Sequence, residues 1–238
     1  GETWTSVAGD LPGGRPINVV VQDRKNPDLL FVGTEWGVYV TLDGGKSWAP
    51  FRGGMPWVKI TDLVVHPREN DLVVASYGRG AWVADITVLQ EWKDAIAVEE
   101  AYLFDIEPRT QRVYTVIGNY QLLGDSHLST PNEPNAVSVN YWLKAKTATP
   151  VKVRIADVAG KAIAELDGKN EAGLNTTLWD MQLREPGKPA RRFWEEPEMV
   201  PPGEYVVPVD AGGKALSKKA VIRGRKGWSF GPFPSDIR

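Results

Sequence analysis

A chain of 238 residues, 42% hydrophobic and 24% charged, is long enough for one large domain or two ordinary ones, each with a real core. Its net charge of −2 leaves no basic footprint for nucleic acid or an anionic membrane, and no apolar run approaches the length of a membrane span. The absence of cysteine excludes disulfide staples and thiolate metal sites, while 24 Gly, 18 Pro and ten Trp favour short strands and tight turns over long helices.

The first ninety residues contain a repeat. Ile17-Asn18-Val19-Val20-Val21 superposes on Ile60-Thr61-Asp62-Leu63-Val64 at an offset of 43, and Gly37-Val38-Tyr39-Val40 superposes on Gly80-Ala81-Trp82-Val83. Between them, Pro27–Val32 aligns with Asn70–Ala75 one place out of phase, with Leu29 on Leu72. Each copy reads as three β-rich runs parted by Asn/Asp/Pro and Gly turns, and a period of this size with about four strands per copy describes a propeller blade. A second offset, of 44, sets Gly1-Glu2-Thr3-Trp4 on Gly45-Lys46-Ser47-Trp48 and Leu11-Pro12 on Met55-Pro56. The expectation is a chain that opens inside a turn whose first half lies upstream. About two blades are then present, ending near Asp85, against ~4–8 in a closed propeller. That predicts the C-terminal part of a longer protein.

The turn itself is Thr41-Leu42-Asp43-Gly44-Gly45-Lys46-Ser47-Trp48. Asp43 can fold its carboxylate back onto backbone N–H groups, Gly44 and Gly45 supply positive φ, and Trp48 can plug the tip against its own blade. This stretch resembles the Asp-box of sialidase-like and sortilin-like β-propellers. The resemblance implies a structural role for Asp43, Gly45 and Trp48 and no catalysis by them.

Thr34-Glu35-Trp36-Gly37 and Tyr77-Gly78-Arg79-Gly80 fall in equivalent turns of the two copies. Glu35, Trp36, Tyr77 and Arg79 are therefore candidates to line one surface: aromatic faces stack on sugar rings or peptide side chains, and an arginine clamps a carboxylate. The competing reading is a packed Trp and an Arg tying adjacent turns together. Asp62, at the start of an inner strand, is the one catalytic candidate. Glycoside hydrolysis needs a second carboxylate, and none is evident beside it. The only histidines, His66 and His127, exclude a multi-histidine metal site, so neither a metal nor another cofactor is expected.

Thr87-Val88-Leu89-Gln90 fits a capping box, with Thr87 as the cap of a short helix that buries Leu89, Trp92 and Ile96. From about 101 to 134 periodicity fades, predicting a connector with one or two strands, Arg112–Ile117 being the best.

Strands are expected at Ala136–Leu143, Val151–Ile155, Ala162–Leu166, Asn175–Trp179, Gly203–Asp210 and Ala215–Ile222, the last two joined across Gly212-Gly213. Val151, Val153 and Ile155 should face inward, Lys152 and Arg154 outward, and Pro208 belongs at an edge or bulge. Strands at this spacing make a β-sandwich. The pattern Val153-Arg154-Ile155 with Gly160, Gly173-Leu174-Asn175 before Trp179-Asp180, then Pro202-Gly203-Glu204-Tyr205 resembles the Ig-like domain of flagellar hook capping proteins. Two departures stand out: Met181 follows Trp179-Asp180 where that family places Gly, and a long insertion, Leu183–Pro202, replaces a tight turn. The insertion carries Phe193 and Trp194, which are costly to leave wet and are expected to dock on a neighbour. Trp228-Ser229-Phe230-Gly231-Pro232-Phe233 near the C-terminus has the same character.

The predicted protein is all-β, a partial β-propeller of about two four-stranded blades with an Asp-box, followed by an Ig-like β-sandwich. The divisions are 1–92 for the blades, 93–135 for the connector, 136–222 for the sandwich and 223–238 for the tail. Gly78-Arg79-Gly80-Ala81-Trp82-Val83 followed by Asp85-Ile86, with an Ig-like domain next, is similar to the C-terminal third of large exported bacterial proteins with sortilin-like or glycosidase-like repeats. That resemblance implies a periplasmic or secreted location and a non-catalytic fragment binding a glycan, peptide or protein. The alternatives are part of a glycoside hydrolase whose carboxylates lie in other blades, or a structural subunit of an extracytoplasmic assembly. Expected partners are the remaining blades, from the same protein or another chain, and a glycan or peptide ligand. Neither nucleic acid nor membrane insertion is expected.

Overall fold

The computed structural model describes residues 2–112, 134–183 and 198–226. The chain divides into two compact units, one to Ala95 and one from Ile96. In the first, β1 (Ile17–Gln22), β2 (Leu30–Thr34), β3 (Gly37–Thr41) and β4 (Ala49–Phe51) form an antiparallel sheet in chain order. A second sheet has β5 (Ile60–Val65), β6 (Asp71–Ser76) and β7 (Ala81–Asp85), again in chain order.

These sheets are two copies of one blade, matched node by node. Both shift register near the start of the first strand, between Ile17 and Val19 in one and between Ile60 and Asp62 in the other. Past that shift the row Val20–Val32–Tyr39 corresponds to Leu63–Val74–Trp82. The register sets Leu30, not Leu29, at the node of Leu72, because the link between the first two strands is one residue longer in the first copy. The second sheet has three strands among the described residues, and the chain leaves β7 for a short helix where the first sheet adds β4.

The two sheets stack through unlike faces. From the first, Val21, Phe31 and Val40 pack against Leu63, Val74 and Trp82 of the second, with Ile60 and Leu72 in the same core. Phe31 and Ile60 are fully buried, which stabilises the fold by roughly 1.5–3 kcal/mol each. Gly33 permits the approach: a Cβ there would lie 2.6 Å from Cγ2 of Ile60 and 2.7 Å from Cγ1 of Val19. The opposite face of the first sheet, with Val32 and Tyr39, is covered by Leu11 and Trp48. In the second sheet the row equivalent to Val21–Phe31–Val40 is Val64–Val73–Val83, and it is open: Val64 is 49% exposed and Val83 66%. Stacked sheets of this kind make the first unit a partial β-propeller.

Two short helices follow, α1 (Thr87–Glu91) and α2 (Asp94–Val98). The expected capping box does not form. Ile86 is the N-cap of α1 without any side-chain bond, and Thr87 lies inside the helix, its N–H and hydroxyl both donating to Asp85 Oδ1 at 2.8 and 2.6 Å. Gln90 reaches away instead, donating to Asp23 Oδ2 at 2.6 Å. Asp23 is almost fully buried and also accepts the N–H groups of Lys25 and Asn26, so it draws the glutamine side chain out of the cap.

The second unit is a β-sandwich. Its smaller sheet has β8 (Ala101–Leu103), β10 (Val137–Leu143) and β13 (Gly173–Trp179), in the order β13-β10-β8. Its larger sheet runs β12-β11-β14-β15-β9, from β9 (Arg109–Arg112), β11 (Val151–Asp157), β12 (Ala162–Gly168), β14 (Gly203–Ala211) and β15 (Lys214–Lys226). The six strands expected from alternation are all present within a few residues. Val151, Val153 and Ile155 are fully buried, whereas Lys152 and Arg154 point out and pair with Asp167 and Glu165 across β12. Strands β8 and β9 come from the stretch read as a connector. The first pairs antiparallel with β10 and the second runs parallel to β15. Pro208 sits in an interior strand, where the β11–β14 ladder skips it and Val207. The sheets close over Trp179, which meets Tyr205 edge-on at 5.5 Å, and the Tyr205 hydroxyl donates to Pro201 O at 2.6 Å.

Met181 has φ of 57°, the one positive φ on a non-glycine side chain among the described residues. The turn after Trp179-Asp180 is thus left-handed at Met181, whose side chain is completely buried in the core. At the base of the insertion, Gln182 bridges Met199 and Leu183 N–H donates to Glu198 O at 2.8 Å. Phe193, Trp194, His127, most of the Arg112–Ile117 strand candidate and the aromatics from Trp228 to Phe233 lie outside the described residues.

Candidate ligand-binding surface

The β2–β3 and β6–β7 turns are built alike. In the first, the buried Thr34 hydroxyl donates to Gly37 O at 2.9 Å and accepts Trp36 N–H at 3.0 Å; in the second, the Ser76 hydroxyl donates to Gly80 O at 2.6 Å. A hydroxyl closing the turn from inside turns the intervening side chains outward. Trp36 is 56% exposed and Tyr77 73%.

Lys59, in the link between the two sheets, ties these turns together. Its amine lies 2.9 Å from Glu35 Oε1 and its carbonyl accepts Tyr77 N–H at 2.8 Å. Asn18 adds a bond to the same Glu35 oxygen at 3.1 Å and another to Ile60 O at 3.0 Å. The hydrogen bonds from Lys59 and then Asn18 hold the Glu35 carboxyl below the usual glutamate range. Arg79 is exposed in the second turn and makes no hydrogen bond or ion pair among the described residues.

Trp57 stands beside the first turn, close enough that a Cβ on Gly37 would lie 3.6 Å from its ring. It is 52% exposed. Arg52 sits 4.1 Å from the ring centre and Arg15 5.8 Å; Arg15 also lies over Tyr39 and hydrogen-bonds its hydroxyl. Composition and repeat matching passed over Trp57, Arg15, Arg52, Lys59 and Asn18. The one available signal was Gly53-Gly54 before Pro56-Trp57, a kinked link that throws an aromatic outward; both glycines have positive φ.

Asp62 sits apart from this arrangement. Its Oδ1 accepts its own neighbour's N–H, that of Leu63, at 2.9 Å, and its row partners across the open sheet face are Ala75 and Ala81. No group of three or more metal-ligating side chains occurs among the described residues.

At the other end of the strands lies the Thr41–Trp48 turn. Asp43 Oδ1 accepts the N–H groups of Lys46 and Ser47 at 3.0 and 2.9 Å and the Thr41 hydroxyl at 2.7 Å. Burial pushes the Asp43 carboxyl up, but the bonds from Ser47, Thr41 and Lys46 outweigh it and hold the group far below the usual aspartate range. Gly44 and Gly45 have φ of 72° and 92°. Trp48 is 8% exposed, its ring N–H donating to Val7 O at 3.0 Å and its backbone N–H to Asp10 Oδ1 at 2.7 Å. Beside this turn is a cleft of about 400 Å³ that includes Lys25, Asp28, Asp43, Lys46, Trp92 and Lys93. None of the residues of the Trp36–Tyr77 surface lines it.

No family model matches the chain, and no curated protein matches it. Among solved structures, the extracellular domain of BT4673 from B. thetaiotaomicron is similar over 88% of this chain, at 12% identity and a TM-score of 0.25. Salmonella alpha-2-macroglobulin, as its Y1175G mutant, is similar over 91% at 17% identity and a TM-score of 0.29. The chain spans 25% of the first and 12% of the second. Likenesses this slight assign neither family nor activity. No helix among the described residues is long and apolar enough to cross a membrane.

Proposed function

We propose that this chain is a non-catalytic binding module of an exported bacterial β-propeller protein of the Asp-box, sortilin-like or sialidase-like kind. Its ligand, a glycan or peptide, lies across the turns that carry Glu35, Trp36, Tyr77 and Arg79. The observation that carries this reading is Lys59, which fixes Glu35 and Tyr77 through one residue and so sets two exposed aromatic turns on a common base. An ion pair and turn-closing hydroxyls that hold the turns still, rather than paired carboxylates around a cleft, suit recognition better than hydrolysis. The Asp-box assignment is supported by the bonds that Asp43 collects from Lys46, Ser47 and Thr41. The test is binding of the full chain to glycan and peptide arrays. Trp36→Ala with Tyr77→Ala should abolish any signal found, and an unchanged signal overturns this face.

A second observation bears on partners. The open Val64–Val73–Val83 row matches the face that the first sheet buries against the second, so further sheets of the same repeat are its proposed cover. Stoichiometric co-purification of such a polypeptide with the native protein, or its presence in a longer native chain, supports this. A native protein comprising this chain alone, with Val83 still open to solvent, overturns it.

A further inference from the structure

Two cations beside Trp57 have no anion among the described residues. Lys59 is engaged by Glu35, but neither Arg15 nor Arg52 forms an ion pair among the described residues. Both lie within reach of one ring, Arg52 at 4.1 Å and Arg15 at 5.8 Å from the centre of Trp57. A guanidinium over an indole uses its flat face for the contact, which leaves the N–H fork at its rim free on Arg52 and partly free on Arg15, whose Nη1 donates to the Tyr39 hydroxyl. That fork fits a carboxylate through two parallel bonds. Two like charges near one ring repel each other, and an anion bound by either lowers the repulsion. Arg15 is further held by its bond to the buried Tyr39, so its position is set before any ligand arrives.

We infer that Arg15, Arg52 and Trp57 form a subsite for the carboxylate of an acidic saccharide, a uronate unit within a longer glycan. The saccharide class follows from what surrounds the subsite. Trp36, Trp57 and Tyr77 expose more than half of their surface each, offering flat faces on which sugar rings stack. The cleft beside the Thr41–Trp48 turn lies at the other end of the strands, and exposed rings of this kind suit a polymer laid across them. This inference rests on the reading of these turns as the ligand face and adds a ligand class to it.

The experiment uses the full chain and three probes of equal length: an oligogalacturonate, a neutral cello-oligosaccharide and an oligoglutamate peptide. Binding is followed by calorimetry and by NMR shifts of the indole N–H groups. The oligogalacturonate should bind, with affinity falling as salt rises. Arg52→Gln should weaken it by roughly tenfold or more, the loss of a charge-assisted pair, with Arg52→Lys recovering only part. Trp57→Ala should weaken it as well. Arg52 is exposed and Trp57 about half exposed, so both variants should fold; an unchanged thermal midpoint for each confirms it. Equal binding of the neutral sugar, unaffected by Arg52→Gln, overturns the carboxylate subsite and leaves the ligand face standing. Tighter binding of oligoglutamate than of oligogalacturonate overturns the saccharide class. Binding of no probe, with no shift at Trp36 or Trp57, overturns both.

Discussion

Glu35 comes from the β2–β3 turn and Lys59 from the link between the two sheets, and their side chains meet at 2.9 Å while the Lys59 carbonyl holds the β6–β7 turn through Tyr77. The pair is solvent-facing, so its value lies in position rather than in bulk stability. With its folded pKa lowered, Glu35 contributes stability above the ordinary glutamate range, and that contribution is lost as pH falls through its folded value. Lys59→Ala should raise the Glu35 titration midpoint toward the ordinary value, read by carboxyl NMR. An unmoved midpoint would show that the pair does not form in solution.

Asp43→Ala should cost about 1–3 kcal/mol by chemical denaturation, since four donors lose a charged acceptor at once. The folded carboxyl titrates far below its unfolded value of about 3.9, so the full difference between parent and variant stands above that pH. It should shrink as pH falls below it. A difference independent of pH between 2 and about 6 would contradict the charged-acceptor account.

Gly33→Ala tests the stacking of the two sheets. Its added carbon would press on Ile60 and Val19 at distances no side chain tolerates, so a loss of about 1–3 kcal/mol is expected in thermal or urea melts. Gly13→Ala, which meets nothing within 4 Å, is the control and should be nearly neutral. Equal effects at both positions would mean that the sheets do not approach as described.

At Met181 two effects oppose. Replacement by glycine relieves a left-handed backbone worth roughly 1–2 kcal/mol but removes a fully buried side chain worth about 2–5 kcal/mol. Met181→Gly should therefore destabilise the sandwich, and a variant more stable than the parent would reverse that ranking.

Val83 is 66% exposed in the last strand of its sheet. Val83→Lys should leave stability within about 0.5 kcal/mol and reduce concentration-dependent association, measured by sedimentation. Undiminished association would exclude this row as a contact.

Local chemistry wrote much of this structure into the sequence. The repeat was visible because Ile17–Val21 recurs as Ile60–Val64 and Gly37–Val40 as Gly80–Val83, the same β-rich runs and glycine turns at one spacing. The sandwich strands were visible because period-2 alternation, as at Val151–Asp157, survives on any half-buried sheet. What could not be read is what depends on separation in sequence. Lys59 has an ordinary charged side chain in a link, and only the fold brings it between Glu35 and Tyr77. Arg15 reaches Trp57 across the same distance barrier. Strand β9 is four polar residues, Arg-Thr-Gln-Arg, whose pairing is set by β15 and whose Gln111 is buried by a bond to Val200 O at 2.6 Å. The cap failed at Thr87 because a buried aspartate, sixty-seven positions before Gln90, outcompeted it for that side chain.

Because Phe31 on one side meets Leu63 and Val74 on the other, the joint between the sheets has a head and a tail, like overlapping roof tiles. Such a joint contains no chemical instruction to stop after two: the number of tiles is set by the angle each adds, not by the strength of the lap. Slight reshaping where Gly33 approaches Ile60 would then change the angle between the two sheets before it prevented them from adhering.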